Sequence, residues 1–170
     1  MDNDPIVTVH NRAPLESDGS GVIAVRGDIR YPLNILTNHA VREVIDFTRP
    51  VGILFVAVLH FVTDEEHPYR VVATFRDRVV PGSYLALSHI TSDGTDQHVV
   101  STIQEAYRQA SAPAVFRSGA DIGRFFNGFK LLKPGIVEVA EWRGNNRKPE
   151  SPPALRFLGG VGRKECAGFL

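Results

Sequence analysis

The chain has 170 residues, 43% of them hydrophobic, and its 19 basic side chains balance 19 acidic ones. That length suits one domain with a real core, spanning 1–170, and the composition excludes global disorder. A net charge of zero gives no reason to expect nucleic acid or an anionic membrane as partner.

One cysteine, Cys166, excludes an internal disulfide and a thiolate metal cluster. No apolar stretch reaches bilayer length, and the start MDNDPIV lacks the positive charge and apolar core of a secretory signal. These features predict a cytoplasmic protein.

Asp2-Asn3-Asp4-Pro5 is a loop-like cluster, after which Ile6 to His10 begin a helix, with Pro5 suited to its first turn. Residues 12–21 are polar and rich in Gly and Ser, which predicts a loop. Residues 22–25 form a short apolar strand that ends on Arg26-Gly27-Asp28. Pro32 opens a helical turn through Leu36, and Asn38 caps a second short helix with Val41, Val44 and Ile45 inward.

Residues 51–67, VGILFVAVLHFVTDEEH, are the most informative stretch. The unbroken apolar run 52–59, rich in β-branched side chains, predicts a strand buried on both faces in the middle of a parallel sheet. Open α/β sheets hold ligands beyond the carboxyl ends of such strands, so chemistry is expected from His60 onward. A lone histidine there also reads as a packed core side chain. Asp64, Glu65, Glu66 and His67 read as the acidic start of a helix rather than metal ligands, since no second ligand cluster has matching spacing.

Pro68 begins a helix with Val71, Val72, Phe75 and Val79 at helical spacing, stopped by Pro81-Gly82. Residues 83–91 are the next strand and again end on a polar pair, Ser88-His89. An amphipathic helix spans 98–110 through Val99, Ile103 and Tyr107, and Ser118 to Asp121 has capping-box spacing before Ile122, Phe125 and Phe126.

Strand pieces at 129–132 and 136–142 flank Pro134-Gly135, and 155–161 form a last strand. The basic run 143–148 reads as a solvated loop. Gly159-Gly160-Val161-Gly162 lacks the strand-to-helix setting of a phosphate loop. Phe125, Phe126 and Phe129 are expected in the core, and Trp142 packed or half-exposed. Alternating strands and helices imply a mainly parallel, doubly wound α/β sheet closed by an antiparallel hairpin.

Taken together, Asp2-Asn3-Asp4-Pro5, Gly27-Asp28-Ile29-Arg30, Asp46-Phe47-Thr48-Arg49-Pro50-Val51, Val56-Ala57-Val58-Leu59-His60-Phe61, Pro81-Gly82-Ser83-Tyr84-Leu85 with Ser88-His89, and Gly160-Val161-Gly162-Arg163-Lys164 resemble the S-adenosyl methyltransferase family typical of actinobacteria. The likeness runs over nearly the whole chain. It implies an incomplete Rossmann-like methyltransferase sheet, S-adenosylmethionine as co-substrate and a small-molecule acceptor.

It further implies that Asp2, with Asn3 beside it, accepts hydrogen bonds from the ribose, and that Asp28 and Ile29 meet the adenine. Val58, Leu59 and His60 lie beside the methionine part and the methyl group. His60, and less directly His89, are the candidates for taking a proton from the acceptor.

In the family the strand order is third, second, first, fourth, fifth, seventh, sixth, and the first strand with its Gly-rich loop has no counterpart here. The domain is therefore expected to be truncated at its N-terminus relative to the family. That leaves the strand at 51–59 with an open edge, liable to homodimerise, unless residues 22–25 slide in beside it. The alternative function is an inactive methyltransferase-like fragment, or a binding or scaffold module without cofactor. A dehydrogenase is disfavoured, because no dinucleotide glycine pattern is present.

Overall fold

A computed structural model describes residues 1–16, 21–110, 112–142 and 154–166, without the side chains of 11–16. The elements are helices α1 (Pro5–Glu16), α2 (Pro32–Leu36), α3 (His39–Val44), α4 (Pro68–Arg78), α5 (Gln97–Tyr107) and α6 (Gly119–Arg124). The strands are β1 (Gly52–Val56), β2 (Tyr84–Ile90), β3 (Lys130–Leu131), β4 (Val137–Glu138) and β5 (Phe157–Arg163). The basic run at 143–148 lies outside the described residues.

The strand order is β1-β2-β5-β3, with β4 also on β5. β1 and β2 are parallel, in register from Gly52 with Tyr84 to Val56 with Ser88, and β5 runs antiparallel to β2, β3 and β4. This is the α/β class with an antiparallel closing region that the sequence implies. Two isolated parallel bridges, Asp2 with Arg26 and Thr91 with Arg117, extend the pairing beyond the named strands.

One face of the sheet carries the core. Phe55 from β1 and Leu85 and Leu87 from β2 pack with Val71, Val72 and Phe75 of α4 and with Ile122, Phe125, Phe126 and Phe129. Helix α4 turns those residues inward at helical spacing, and Lys164 donates to the carbonyls of Arg76 and Val79 at its C-terminal end, where a cation suits the dipole. Gly159-Gly160-Val161-Gly162 is the middle of β5. A Cβ on Gly162 would stand 2.8 Å from Phe129 Cβ and 3.0 Å from a Phe126 ring carbon, so the glycines there make room for core aromatics.

The expectation for 52–59 needs correction in two respects. The strand ends at Val56, where Ala57 takes a left-handed φ of 52°, and Leu59–Phe61 forms a 3₁₀ turn. It is also buried on one face only: Phe55 is in the core, whereas Leu54 is 68% and Val56 64% exposed. An apolar run looks the same whether one face or both are covered, so the pattern could not tell these cases apart.

Among the described residues β1 pairs with β2 and with no strand on its other edge. Residues 22–25 do not slide in beside it. They form no ladder, because Gly27 N–H donates to Asp2 O at 2.9 Å and Met1 packs over Gly27, which ties that segment to the N-terminal residues instead.

Smaller differences have local causes. Helix α1 runs on to Glu16, through part of the expected loop, and in α3 Val41 is buried while Val44 is exposed. Asp64–Glu66 is a 3₁₀ turn of its own, closed by a Thr63–Glu66 capping box, and His67 at φ 53° separates it from α4. In α5 the buried residue is Val100. Asn38, Asp96 and Ser118 cap their helices through side-chain oxygens, as that residue type at that position predicts for Asn38 and Ser118.

Candidate functional site

Two segments bracket the site. The first is built by the bridge of Asp2 with Arg26, which sets Asp2 beside the turn that carries Asp28. Asp2 Oδ1 accepts from Asp4 N–H at 2.9 Å, and its Oδ2 has no partner among the described residues. Asn3 is exposed, and its carbonyl accepts from Arg26 Nε at 3.3 Å.

Tyr31 N–H donates to Asp28 O at 3.0 Å, closing a turn over 28–31. Within it Asp28 Oδ1 accepts from the Arg30 N–H and Nε, both at 2.9 Å, and Oδ2 accepts from Nε at 3.0 Å and from the terminal guanidinium nitrogen at 2.6 Å. These bonds, foremost the side-chain bond from Arg30, hold the Asp28 carboxyl below its ordinary range. Ile29 is half-buried against the core cluster that contains Leu59 and Val62.

The second segment follows β1. Ser88 Oγ accepts from the Ala57 N–H at 3.0 Å, which pins the left-handed turn to β2. Val58 packs half-buried on the core, and Leu59 has no exposed surface. His60 is 5% exposed, and its ring lies 4.3 Å from that of Phe61 and 5.5 Å from that of His89. Burial first, and then the Arg117 charge, lower its pKa to about 4, so it is neutral at pH 7. Its Nδ1 is buried and has no hydrogen-bond partner among the described residues.

Arg117 organises this segment from below. Its guanidinium, itself buried, donates to Leu59 O at 3.2 Å, Val62 O at 2.9 Å, Asp64 Oδ1 at 2.7 Å and His89 Nε2 at 2.9 Å. Arginine has no lone pair, so His89 Nε2 is the acceptor and the ring proton sits on Nδ1, which donates to Ile90 O at 2.6 Å. His89 is wholly buried with both nitrogens engaged, its pKa lowered to about 4 chiefly by burial. It therefore supports the end of β1 from within the core, and it offers no free lone pair to a substrate.

The two segments are joined. Arg30 also donates to Glu66 Oε1 at 3.0 Å, and Glu66 Oε2 accepts from Thr63 N–H at 2.8 Å. Arg30 and Glu66 line a cleft of ≈ 350 Å³ with Tyr31, Leu33, Arg70 and Val71. The geometry thus brings Asp2, Asp28 and Ile29 together and links them to the turn after β1. It leaves Leu59 and His89 inside the core.

Arg30 and Glu66 stand in motifs already noted, but the link between them had no signal in the sequence, nor had Arg117. The partners so joined stand up to 58 residues apart, and lone arginines in loops look alike. No group of three or more His, Cys, Asp or Glu side chains suited to a metal occurs among the described residues. Nor is any described helix long and apolar enough to cross a membrane.

The residues present fit an adenosyl group. A free oxygen on Asp2 suits ribose hydroxyls, and Asp28, an ionised acceptor whose two oxygens are both held by Arg30, suits the edge of a base that carries an amine. An open α/β sheet with two such acids brought together by the Asp2–Arg26 bridge suits a nucleotide-binding, Rossmann-like class of protein.

The comparisons narrow that class. A family model described as S-adenosyl methyltransferase matches residues 1–165, and the chain belongs to that family, whose co-substrate is S-adenosylmethionine. A candidate methyltransferase from Thermobifida fusca YX is 32% identical, with a TM-score of 0.87 over 97% of this chain and 62% of that one. A DUF574 family protein from Streptomyces avermitilis MA-4680 is 33% identical, with a TM-score of 0.86 over 96% and 63%. TehB from Haemophilus influenzae, at 11% identity, 96% and 48% coverage and a TM-score of 0.58, shares the fold. The chain thus spans less than two thirds of the length of its two most similar solved relatives named here. No curated protein matches it.

Proposed function

We propose that this chain carries the S-adenosylmethionine site of a cytoplasmic methyltransferase acting on a small-molecule acceptor. The observation that supports this most is the pairing of Asp2 with Arg26, which sets a free carboxylate oxygen next to the Asp28 turn. In this reading Asp2 and Asn3 take the ribose, Asp28 and Ile29 take the adenine, and Val58 flanks the methionine portion with Leu59 buried behind it.

The bound co-substrate supplies an electrophilic sulfonium methyl. The acceptor's oxygen or nitrogen forms the new bond to carbon as the carbon–sulfur bond breaks, and that electron pair stays on sulfur. The acceptor's proton leaves to the neutral His60 imidazole and on to water. With a pKa of about 4 His60 is a weak base, so alignment of the nucleophile carries most of the rate.

Calorimetric titration with S-adenosylhomocysteine tests this. Wild type is expected to bind, and Asp2→Ala with Asp28→Ala to weaken binding by about a hundredfold, two lost hydrogen-bonded contacts of about tenfold each. Absence of wild-type binding would sink the reading.

A second reading, a binding or scaffold module without turnover, is favoured by the open edge of β1 and the exposed Leu54 and Val56 beside it. On that reading two copies pair edge to edge. Sedimentation would show a dimer that Val56→Lys dissociates, and a wild-type monomer would dismiss it.

A further inference from the structure

The geometry points to Arg30 as a positioning residue that fixes the Asp28 carboxylate and so decides which nucleobase edge the site accepts, with Glu66 and Thr63 holding Arg30 in place. This rests on the reading of Asp28 as the adenine contact.

A single aspartate side chain rotates about two bonds, but here its oxygens are held from three directions. The Arg30 N–H and Nε fix Oδ1 at 2.9 Å each, and Nε and the terminal nitrogen fix Oδ2 at 3.0 and 2.6 Å. Such a fork-to-carboxylate pair has a preferred plane, which a lysine ammonium cannot impose. The opposite arm of the same guanidinium, at 3.0 Å from Glu66 Oε1, is braced from the other loop. Glu66 cannot swing away, because Thr63 holds Oε2 through its N–H at 2.8 Å and its hydroxyl at 3.3 Å.

The chain Thr63–Glu66–Arg30–Asp28 therefore spans from the turn after β1 to the turn after Arg26. Both halves of the proposed adenosyl site are gauged against each other. Arg30, Asp28 and Glu66 have side chains 32%, 22% and 31% exposed, so the network is too wet to contribute much to stability. Its consequence is orientation and charge state. The Arg30 bonds keep Asp28 ionised, hence acceptor-only, toward low pH. An acceptor-only oxygen held in a fixed plane favours a base that presents an amino group over one that presents an oxo group.

The test compares S-adenosylhomocysteine with S-inosylhomocysteine, which carries an oxo group in place of the amino group, by calorimetry between pH 4 and 7.5. Wild type is expected to prefer the adenosyl ligand by about tenfold or more, as a site built around a hydrogen bond does. Arg30→Met should weaken the adenosyl ligand by about tenfold and bring the two ligands to within about threefold of each other. Acid loss of adenosyl binding should also move to higher pH in Arg30→Met, because Asp28 regains an ordinary carboxyl.

Arg30→Lys should keep binding but not restore the preference, and Glu66→Gln should show a smaller loss in the same direction. Circular dichroism confirms that each variant is folded. An Arg30→Met variant that loses both ligands in equal proportion, or keeps the wild-type preference and pH profile, overturns the positioning role while wild-type binding leaves the methyltransferase reading intact. Wild type that binds neither ligand overturns both.

Discussion

Replacing Arg117 by methionine is expected to destabilise the protein by about 2–6 kcal/mol, since it leaves two buried acceptors without a donor. The residue sits before the Ser118 cap of α6, 4% exposed, with its cation stacked 5.6 Å from the Phe125 ring centre. Without it the carbonyl of Val62 and the Nε2 of His89 lose their donors, while the Leu59 carbonyl keeps the Val62 N–H at 3.2 Å. Unpaired buried acceptors of this kind cost about 1–3 kcal/mol each.

The one carboxylate on Arg117 belongs to Asp64, whose side chain is 72% exposed. Asp64→Asn should therefore cost far less than loss of the arginine, because three of the four bonds remain. Urea unfolding at pH 7 measures both variants. A loss under about 1 kcal/mol for Arg117→Met, the ordinary range of a surface substitution, would show that the clamp does not hold the turn after β1.

The second large effect is a loss of stability in mild acid. His60 and His89 have folded-state pKa values of about 4 against 6.5 in the unfolded chain, burial being the first cause for both and Arg117 opposing a second positive charge. Between those limits the unfolded chain binds more protons, so stability is full above about pH 6.5 and falls as pH drops toward about 4. Each histidine accounts for up to roughly 3 kcal/mol over that window, from 1.36 kcal/mol per pH unit.

The two rings contact each other, so these contributions are coupled and their sum is an upper bound. Asp28 and Glu66, both held below their ordinary values mainly by hydrogen bonds, add a further loss only at lower pH. Urea midpoints at pH 7.5, 6, 5 and 4 read this directly. A flat profile between pH 7 and 5 would contradict the buried, neutral state of both rings.

The α/β class and most helix starts were legible in the sequence, because proline, capping side chains and apolar period are local signals. Pro68 with Val71, Val72 and Phe75 gave α4 correctly, since a helix states its buried face in its own spacing. The one-sided burial of β1 was not legible, because Leu54 and Val56 are as apolar as Phe55 and their exposure depends on what lies over them. The pairing of Asp2 with Arg26 was equally hidden, since a single parallel bridge leaves no periodic trace.

The same limit applied to the site. Asp2 and Asp28 were named through motif order, whereas the link of Arg30 to Glu66 and the bonds of Arg117 join residues distant in sequence. His89 shows the converse. Its position at a strand end suggested proton chemistry, and only its partners, the Arg117 donor and the Ile90 carbonyl acceptor, show that both nitrogens are engaged.

Hydrogen–deuterium exchange with and without saturating S-adenosylhomocysteine tests the central claim most directly. The expected footprint is joint slowing at residues 26–31 and 57–62, the two turns that Arg30 and Glu66 connect. Slowing confined to α5 or to the β3–β4 region, or slowing at one of the two turns while the other is unchanged, would contradict a shared adenosyl site.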